Sequence, residues 1–64
     1  MKPDIKKVLI AMAKTEMTTN ELCLKSGISQ STISKFKNGK SCRPETFGKV
    51  AKALGVDVTE LIKE

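Results

Sequence analysis

Apolar residues recur along this chain with the three- and four-residue spacing of helices, and no segment alternates with the period of two that a half-buried strand shows. Four apolar residues near the N-terminus fall at positions i, i+3, i+4 and i+7 of one helical face: Ile5, Val8, Leu9 and Met12. We therefore predict a first helix from Pro3 or Asp4 to Thr15, with this face towards the core.

Two short helical segments separated by a turn come next. Thr18 and Glu21 have the spacing of a capping box, in which each side chain bonds the backbone N–H of the other residue. The second helix is therefore predicted to begin at Thr18. It stops at Gly27, because glycine adopts the left-handed conformation of a helix end without strain. Ser29 is the N-cap candidate of the third helix.

The C-terminal part of the chain predicts the end of the third helix and two helices more. The third helix stops at Asn38–Gly39, and Pro44 suits the first turn of a fourth helix, where its missing N–H has no partner to lose. Gly55 ends that helix, and Asp57 with Glu60 forms a second capping box at the start of a short fifth helix. The predicted core is Ile5, Val8, Leu9, Met12, Leu22, Cys23, Ile28, Ile33, Phe36, Phe47, Val50, Ala51, Leu54, Val56, Leu61 and Ile62.

These elements predict an all-α fold, a compact bundle of five short helices that forms a single domain over residues 1–64. A chain of 64 residues buries only about 60% of the surface that its unfolded form exposes, which leaves no room for a large catalytic cleft. No apolar run approaches the roughly 18 residues of a membrane span. The N-terminus also lacks the apolar stretch of a secretory signal, so we expect a cytoplasmic protein.

Residue types that bind metals or perform catalysis are scarce in this chain. It has two cysteines, Cys23 and Cys42, and no histidine, so a metal site would lack ligands. We expect reduced, inert thiols rather than a bridge or a ligand pair. No pair of carboxylates on one face, nucleophile elbow or glycine-rich phosphate loop is present. We therefore expect neither an enzyme nor a cofactor.

Positive charge is concentrated in one stretch of the chain. Between Glu21 and Glu45 there is no acidic residue, but there are five basic ones: Lys25, Lys35, Lys37, Lys40 and Arg43. Twelve basic residues minus these five leave seven, which balance the seven acidic residues, so this stretch accounts for the net charge of +5. This basic stripe indicates a polyanionic partner. Two short helices joined by a tight turn that contains glycine are typical of proteins that read DNA, so we expect double-stranded DNA as that partner.

An ordered set of short matches runs through this region: Thr18, Glu21–Leu22, Gly27–Ser29, Gln30–Ser34, Asn38–Lys40, Ala51–Val56 and Glu60–Leu61. In this order they resemble the Cro/C1-type (XRE-like) helix-turn-helix family of phage and bacterial repressors, which has a lambda-repressor-like fold. The resemblance implies a small transcriptional regulator, most simply a repressor of phage, mobile-element or bacterial housekeeping origin. Its third helix would enter the major groove, and its second helix would lie across the groove against the backbone.

The resemblance also implies roles for the polar residues of this region. Gln binds adenine bidentately, Ser bonds any base edge and Lys favours the O6/N7 edge of guanine, so the base-contacting candidates are Gln30, Ser31, Ser34 and Lys35. Helix-start amides and unopposed cations suit phosphate, and the phosphate-contacting candidates are Thr18, Thr19, Asn38, Lys40, Ser41 and Arg43. One module reads few base pairs, so we expect a palindromic operator bound by a weak homodimer that forms mainly on DNA.

Two departures from the family pattern leave an alternative open. Thr19 stands where the family often has a Gln that braces the first residue of the recognition helix, and Lys37 stands where a Glu is common. The alternative is an antitoxin-type protein-interaction module with weak or no specific DNA binding. Nonspecific nucleic-acid binding fits the charge but not the ordered motif. The remaining basic residues considered are assigned to solvent: Lys6, Lys7, Lys49, Lys52 and Lys63.

Overall fold

The computed structural model describes residues 1–63, and its elements follow the predicted order. These residues form four α-helices and one 3-10 turn at Val58–Glu60. The helices are α1 (Ile5–Thr15), α2 (Thr19–Ser26), α3 (Gln30–Lys37) and α4 (Pro44–Leu54). The all-α fold and the first four helices are thus confirmed, but the prediction of a fifth α-helix is wrong.

Backbone pairing with the N-terminal segment prevents the last turn from extending into an α-helix. The N–H of Leu61 donates to the carbonyl of Val58 at 2.9 Å, which is the i to i+3 bond of a 3-10 turn. The Leu61 carbonyl then accepts from the N–H of Asp4 at 2.8 Å, and the N–H of Lys63 donates to the carbonyl of Lys2 at 3.0 Å. In an α-helix the N–H of Lys63 would instead donate to the carbonyl of Thr59, so its pairing with Lys2 competes with a longer helix.

Side-chain caps set the starts of α2 and α3. The Thr18 hydroxyl accepts from the N–H of Glu21 at 3.2 Å, and the Glu21 carboxylate accepts from the N–H of Thr18 at 3.0 Å. The Ser29 hydroxyl accepts from the N–H of Thr32 at 3.4 Å. Gly27, with φ of 71°, forms the turn between the two helices. The predicted capping residues therefore position the two helices of the helix-turn-helix.

The core is built by residues from all four helices and the segment after α4. Phe36 of α3 and Phe47 of α4 are fully buried and meet edge to face, with ring centroids 4.9 Å apart and ring planes at 64°. This geometry is favourable because the positive edge of one ring meets the negative face of the other. The buried apolar residues are Val8, Ala11, Met12, Leu22, Ile33, Phe36, Phe47, Val50, Ala51, Leu54 and Leu61. Cys23, Ile28, Val56 and Ile62, also predicted as core, are half-buried against it.

The face that α1 turns to the core differs from the predicted one. Ile5 and Leu9, predicted to be buried, are 47% and 53% exposed, whereas Ala11 is buried. α1 carries apolar residues on most of its sides, so two apolar stripes overlap at Val8 and Met12. One stripe adds Ile5 and Leu9 and the other adds Ala11, and periodicity alone does not choose between them. Contacts with α3, α4 and the 3-10 turn decide the rotation, and the small side chain of Ala11 permits close helix packing.

Gly39 joins the end of α3 to the N-terminal segment. Its φ is 77°, and its N–H donates to the carbonyl of Phe36 at 3.2 Å, while the N–H of Lys40 donates to the carbonyl of Lys35 at 3.0 Å. These two bonds form a Schellman motif. A Cβ atom at Gly39 would lie 3.0 Å from Cγ1 of Ile5. The backbone conformation therefore favours glycine here, and a Cβ atom would also push the Ile5 side chain aside.

The two longest helices, α1 and α4, have 11 residues each. Within residues 1–63, no helix has the length and apolar character needed to cross a bilayer. α3 packs against α1 and α2, and within the described residues its polar side, away from Ile33 and Phe36, is exposed.

Candidate nucleic-acid interface

α3 has one buried side and one exposed polar side. Ile33 and Phe36 are three residues apart and therefore lie on the same face of the helix. Both are fully buried in the core. The base-contacting candidates are all exposed on this helix: Gln30, Ser31, Ser34 and Lys35. The structure thus brings these four residues together on a rigid element that carries donors and acceptors for base edges.

A side chain of α2 holds the first residue of α3. Nε2 of Gln30 donates to Oδ1 of Asn20 at 3.1 Å. An amide side chain offers two N–H donors and one carbonyl oxygen, so the carbonyl oxygen and the second N–H can still meet a base. Thr19 does not brace Gln30, which agrees with its short side chain. Asn20 takes that role one residue further along, and its only sequence signal is a polar side chain in the first turn of α2.

Thr19 instead contacts the other end of α3. Its hydroxyl accepts from Nζ of Lys37 at 2.8 Å, so the ammonium group lies beside the start of α2. Thr19, Gln30 and Lys37 line one groove between α2 and α3, together with Ser34 and Asn38. Many members of the family have a Glu at the position of Lys37. In this chain the position carries a positive charge instead, and the contact with Thr19 holds it at the edge of the polar side of α3. Lys37 was not among the site residues predicted from the sequence.

The start of α2 already holds one carboxylate. Thr18 lies at the N-cap and is exposed, and its backbone N–H, with a smaller contribution from its side chain, hydrogen-bonds the Glu21 carboxylate. These bonds hold the pKa of the Glu21 carboxyl below its ordinary value of 4.5, because they favour the charged form. A phosphate near Thr18 would therefore share the positive end of the helix dipole with an ionised acid.

A second groove flanks α3 on the side of the loop that leads to α4. Lys35, Ser41 and Arg43 line it together with Thr32, Cys42 and Thr46, and no acidic side chain is among these residues. The structure thus brings the base-contacting candidate Lys35 beside two phosphate candidates. Arg43 is the N-cap residue of α4, and its side chain makes no capping hydrogen bond.

The remaining candidates frame the C-terminal end of α3. Asn38 is exposed at the C-cap, where its backbone N–H donates to the carbonyls of Ser34 and Lys35 at 3.1 and 3.2 Å. Lys40 is exposed in the loop but does not line the groove that contains Lys35. Cys42 is half-buried against the core. Cys23 and Cys42 are both free thiols.

Comparison with known families agrees with this geometry. Residues 7–63 match the model of the Cro/C1-type HTH DNA-binding domain. Since the match spans most of the chain, the protein belongs to this family of DNA-binding domains, and the resemblance drawn from the sequence is confirmed. The chain is thus a DNA-binding helix-turn-helix domain.

One solved structure with a similar fold is that of Streptomyces albus HEPD with substrate 2-hydroxyethylphosphonate and Fe(II) bound. The two share 25% sequence identity with a TM-score of 0.80, over 91% of this chain and 13% of that chain. The similarity therefore concerns one small part of a longer protein. Within residues 1–63, no three His, Cys, Asp or Glu side chains are grouped so that they could hold a metal. No curated protein matches the chain at a significant level.

Proposed function

We propose that this protein binds a specific DNA sequence and regulates transcription, most simply as a repressor. The observation that carries the proposal is the exposed polar side of α3, opposite the buried Ile33 and Phe36. Gln30, Ser31, Ser34 and Lys35 would read base edges in the major groove. Occupancy of the site is enough for repression, because a bound protein excludes others from the same DNA.

The phosphate contacts proposed here would orient the domain on the duplex. They come from Thr18 and Thr19 at the start of α2 and from Asn38, Lys40, Ser41 and Arg43 around the end of α3. Contacts to phosphate fix the register of a protein on DNA but carry no sequence information. The groove that contains Lys35 and Arg43 has no acidic side chain, which supports binding of an anionic DNA backbone beside the base-contacting side of α3.

A palindromic operator would supply the length of sequence that one copy does not cover. The Cα atoms of the described residues extend over 26 × 22 × 17 Å, which is less than the roughly 34–36 Å of one DNA turn. Two copies bound to half-sites about one turn apart would double the number of base pairs that the protein contacts. We expect free protein at micromolar concentration to sediment as a monomer or weak dimer. A tight dimer in the absence of DNA would contradict this part of the proposal.

Selection of random duplexes against the purified protein tests the proposed function. Enrichment of a two-fold symmetric motif is the expected result. A flat pool would contradict it and would favour a protein-interaction module. One observation favours that second candidate: α1 exposes apolar residues, with Leu9 and Ile10 each 53% exposed.

A further inference from the structure

Three lysines that the sequence analysis assigned to solvent or left without a role line one groove. This groove lies where the N-terminal segment meets the end of α3, and we call it the terminal lysine groove, formed by Lys2, Lys6 and Lys63. All three side chains are exposed. Lys63 is far from Lys2 and Lys6 in sequence, so only the fold reveals the cluster.

Backbone hydrogen bonds hold the groove in place. The N–H of Lys63 donates to the carbonyl of Lys2 at 3.0 Å, and Pro3 forms an antiparallel bridge with Ile62. The fully buried Pro3 anchors this segment to the core. The lysines therefore extend from an ordered backbone, so binding a ligand there orders side chains alone and costs less entropy.

The groove carries more positive charge than folding explains. Among the residues that line it, the one carboxylate is Asp4, which already accepts from the N–H of Lys7 at 3.2 Å as the cap of α1. Lys6 lies in the first turn of α1, which contains no acidic residue. A cation at that position is unfavourable because the start of a helix is its positive end. An anionic partner would offset this repulsion.

The groove is continuous with the proposed DNA-binding side. Asn38, the C-cap of α3, lines both the terminal lysine groove and the groove between α2 and α3 that contains Gln30 and Lys37. A DNA backbone that passes the C-terminal end of α3 at Asn38 therefore reaches the groove next.

We propose that the terminal lysine groove binds phosphates of the DNA backbone beyond the end of α3. This inference rests on the proposed function for the placement of DNA against α3. Each phosphate neutralised contributes about −0.9 to the slope of log K against log salt, so the three lysines together account for a slope of about two to three.

A matched set of lysines provides the control. Lys25, Lys49 and Lys52 are exposed and line a separate depression formed by α2 and α4. Lys25 belongs to the basic stretch of the sequence, but the structure places it in this depression and not in the grooves that flank α3. Lys25 and Lys52 lie in the last turns of their helices, where the helix dipole favours a cation without any ligand. The triple variant K2A/K6A/K63A and the triple variant K25A/K49A/K52A remove the same charge from exposed positions.

The experiment measures binding by fluorescence anisotropy over a range of salt, with duplexes of about three helical turns. One duplex carries the selected sequence, and one has random sequence. On both duplexes, we expect K2A/K6A/K63A to reduce the magnitude of the slope of log K against log salt by about two to three. K25A/K49A/K52A should reduce it by less than about one. Thermal melts check that both variants fold. Equal slopes for the two variants would overturn the proposal.

The same data separate this inference from the proposed function. If wild-type protein binds both duplexes equally but K2A/K6A/K63A still loses the larger slope, the groove binds DNA and the sequence-specific function is wrong. If the selected duplex is preferred and the two variants have equal slopes, the groove proposal fails alone.

Discussion

α1 and α3 both pack one side against the core, but they differ in what covers the other side. On α3 the buried residues Ile33 and Phe36 face away from an exposed side that is wholly polar. On α1 the buried Val8 has exposed apolar neighbours, Leu9 and Ile10. The inner face of a helix can therefore be predicted from sequence only where its outer face is polar. The polar outer face of α3 also carries side chains that can form hydrogen bonds with DNA.

Truncation of a buried side chain on α3 and of an exposed one on α1 should have very different effects on the free energy of unfolding. Phe36→Ala should destabilise the fold by roughly 3–5 kcal/mol, because a small core cannot fill the cavity left by a buried aromatic ring. Leu9→Ala, at a side chain that is 53% exposed, should change the free energy of unfolding by less than about 1 kcal/mol. Thermal or urea unfolding measures both. A melt of Phe36→Ala close to wild type would show that the described register of α3 is wrong.

The polar side of α3 should distinguish base reading from charge. Lys35→Ala should cost about 1–3 kcal/mol of discrimination at one base position, because Lys35 lies among the base-contacting candidates. Lys40→Ala removes the same charge from the loop. It should weaken selected and random duplexes alike and lower the salt slope by about one. If the two variants reduce binding equally on every sequence, α3 does not read bases.

Loss of the contact between Asn20 and Gln30 should reduce sequence discrimination by less than loss of a base contact does. Asn20→Ala removes the acceptor 3.1 Å from Nε2 of Gln30 and should cost about 0.5–1.5 kcal/mol of sequence discrimination. Because Asn20 acts through Gln30, the same substitution should have no effect on discrimination in a Gln30→Ala background. Additive losses in the double variant would mean that Asn20 contacts DNA itself.

The two helices also differ at their C-terminal ends. α3 is followed by Gly39 in the left-handed conformation, whereas α1 is followed by Glu16 with φ of 52°. A side chain in this conformation costs roughly 1–2 kcal/mol, so Glu16→Gly should stabilise the protein by about 1 kcal/mol after the entropy cost of glycine. Glu16→Ala makes the same charge change but keeps Cβ, and a thermal melt should show no comparable gain. An equal gain in both variants would assign the effect to charge.

Several features of the site follow from local sequence alone. The caps at Thr18 and Ser29 act within four residues, so their hydrogen bonds form wherever the chain becomes helical. The exposed side of α3 is likewise predictable, because Ile33 and Phe36 leave the remaining positions polar. These signals also identify the family, which confirms DNA binding but leaves the role of each base-contacting residue as a prediction.

Other features depended on residues that are distant in sequence. The rotation of α1 is decided by its neighbours, because an apolar surface on several sides gives similar burial to more than one rotation. The last turn stays short because the N–H of Lys63 pairs with the carbonyl of Lys2, a partner that local propensity does not reveal. The contact of Lys37 with Thr19 and the meeting of Lys2 with Lys63 arise in the same way. Local sequence thus determined where helices start and which side of α3 is polar, whereas tertiary packing decided which distant side chains share a surface.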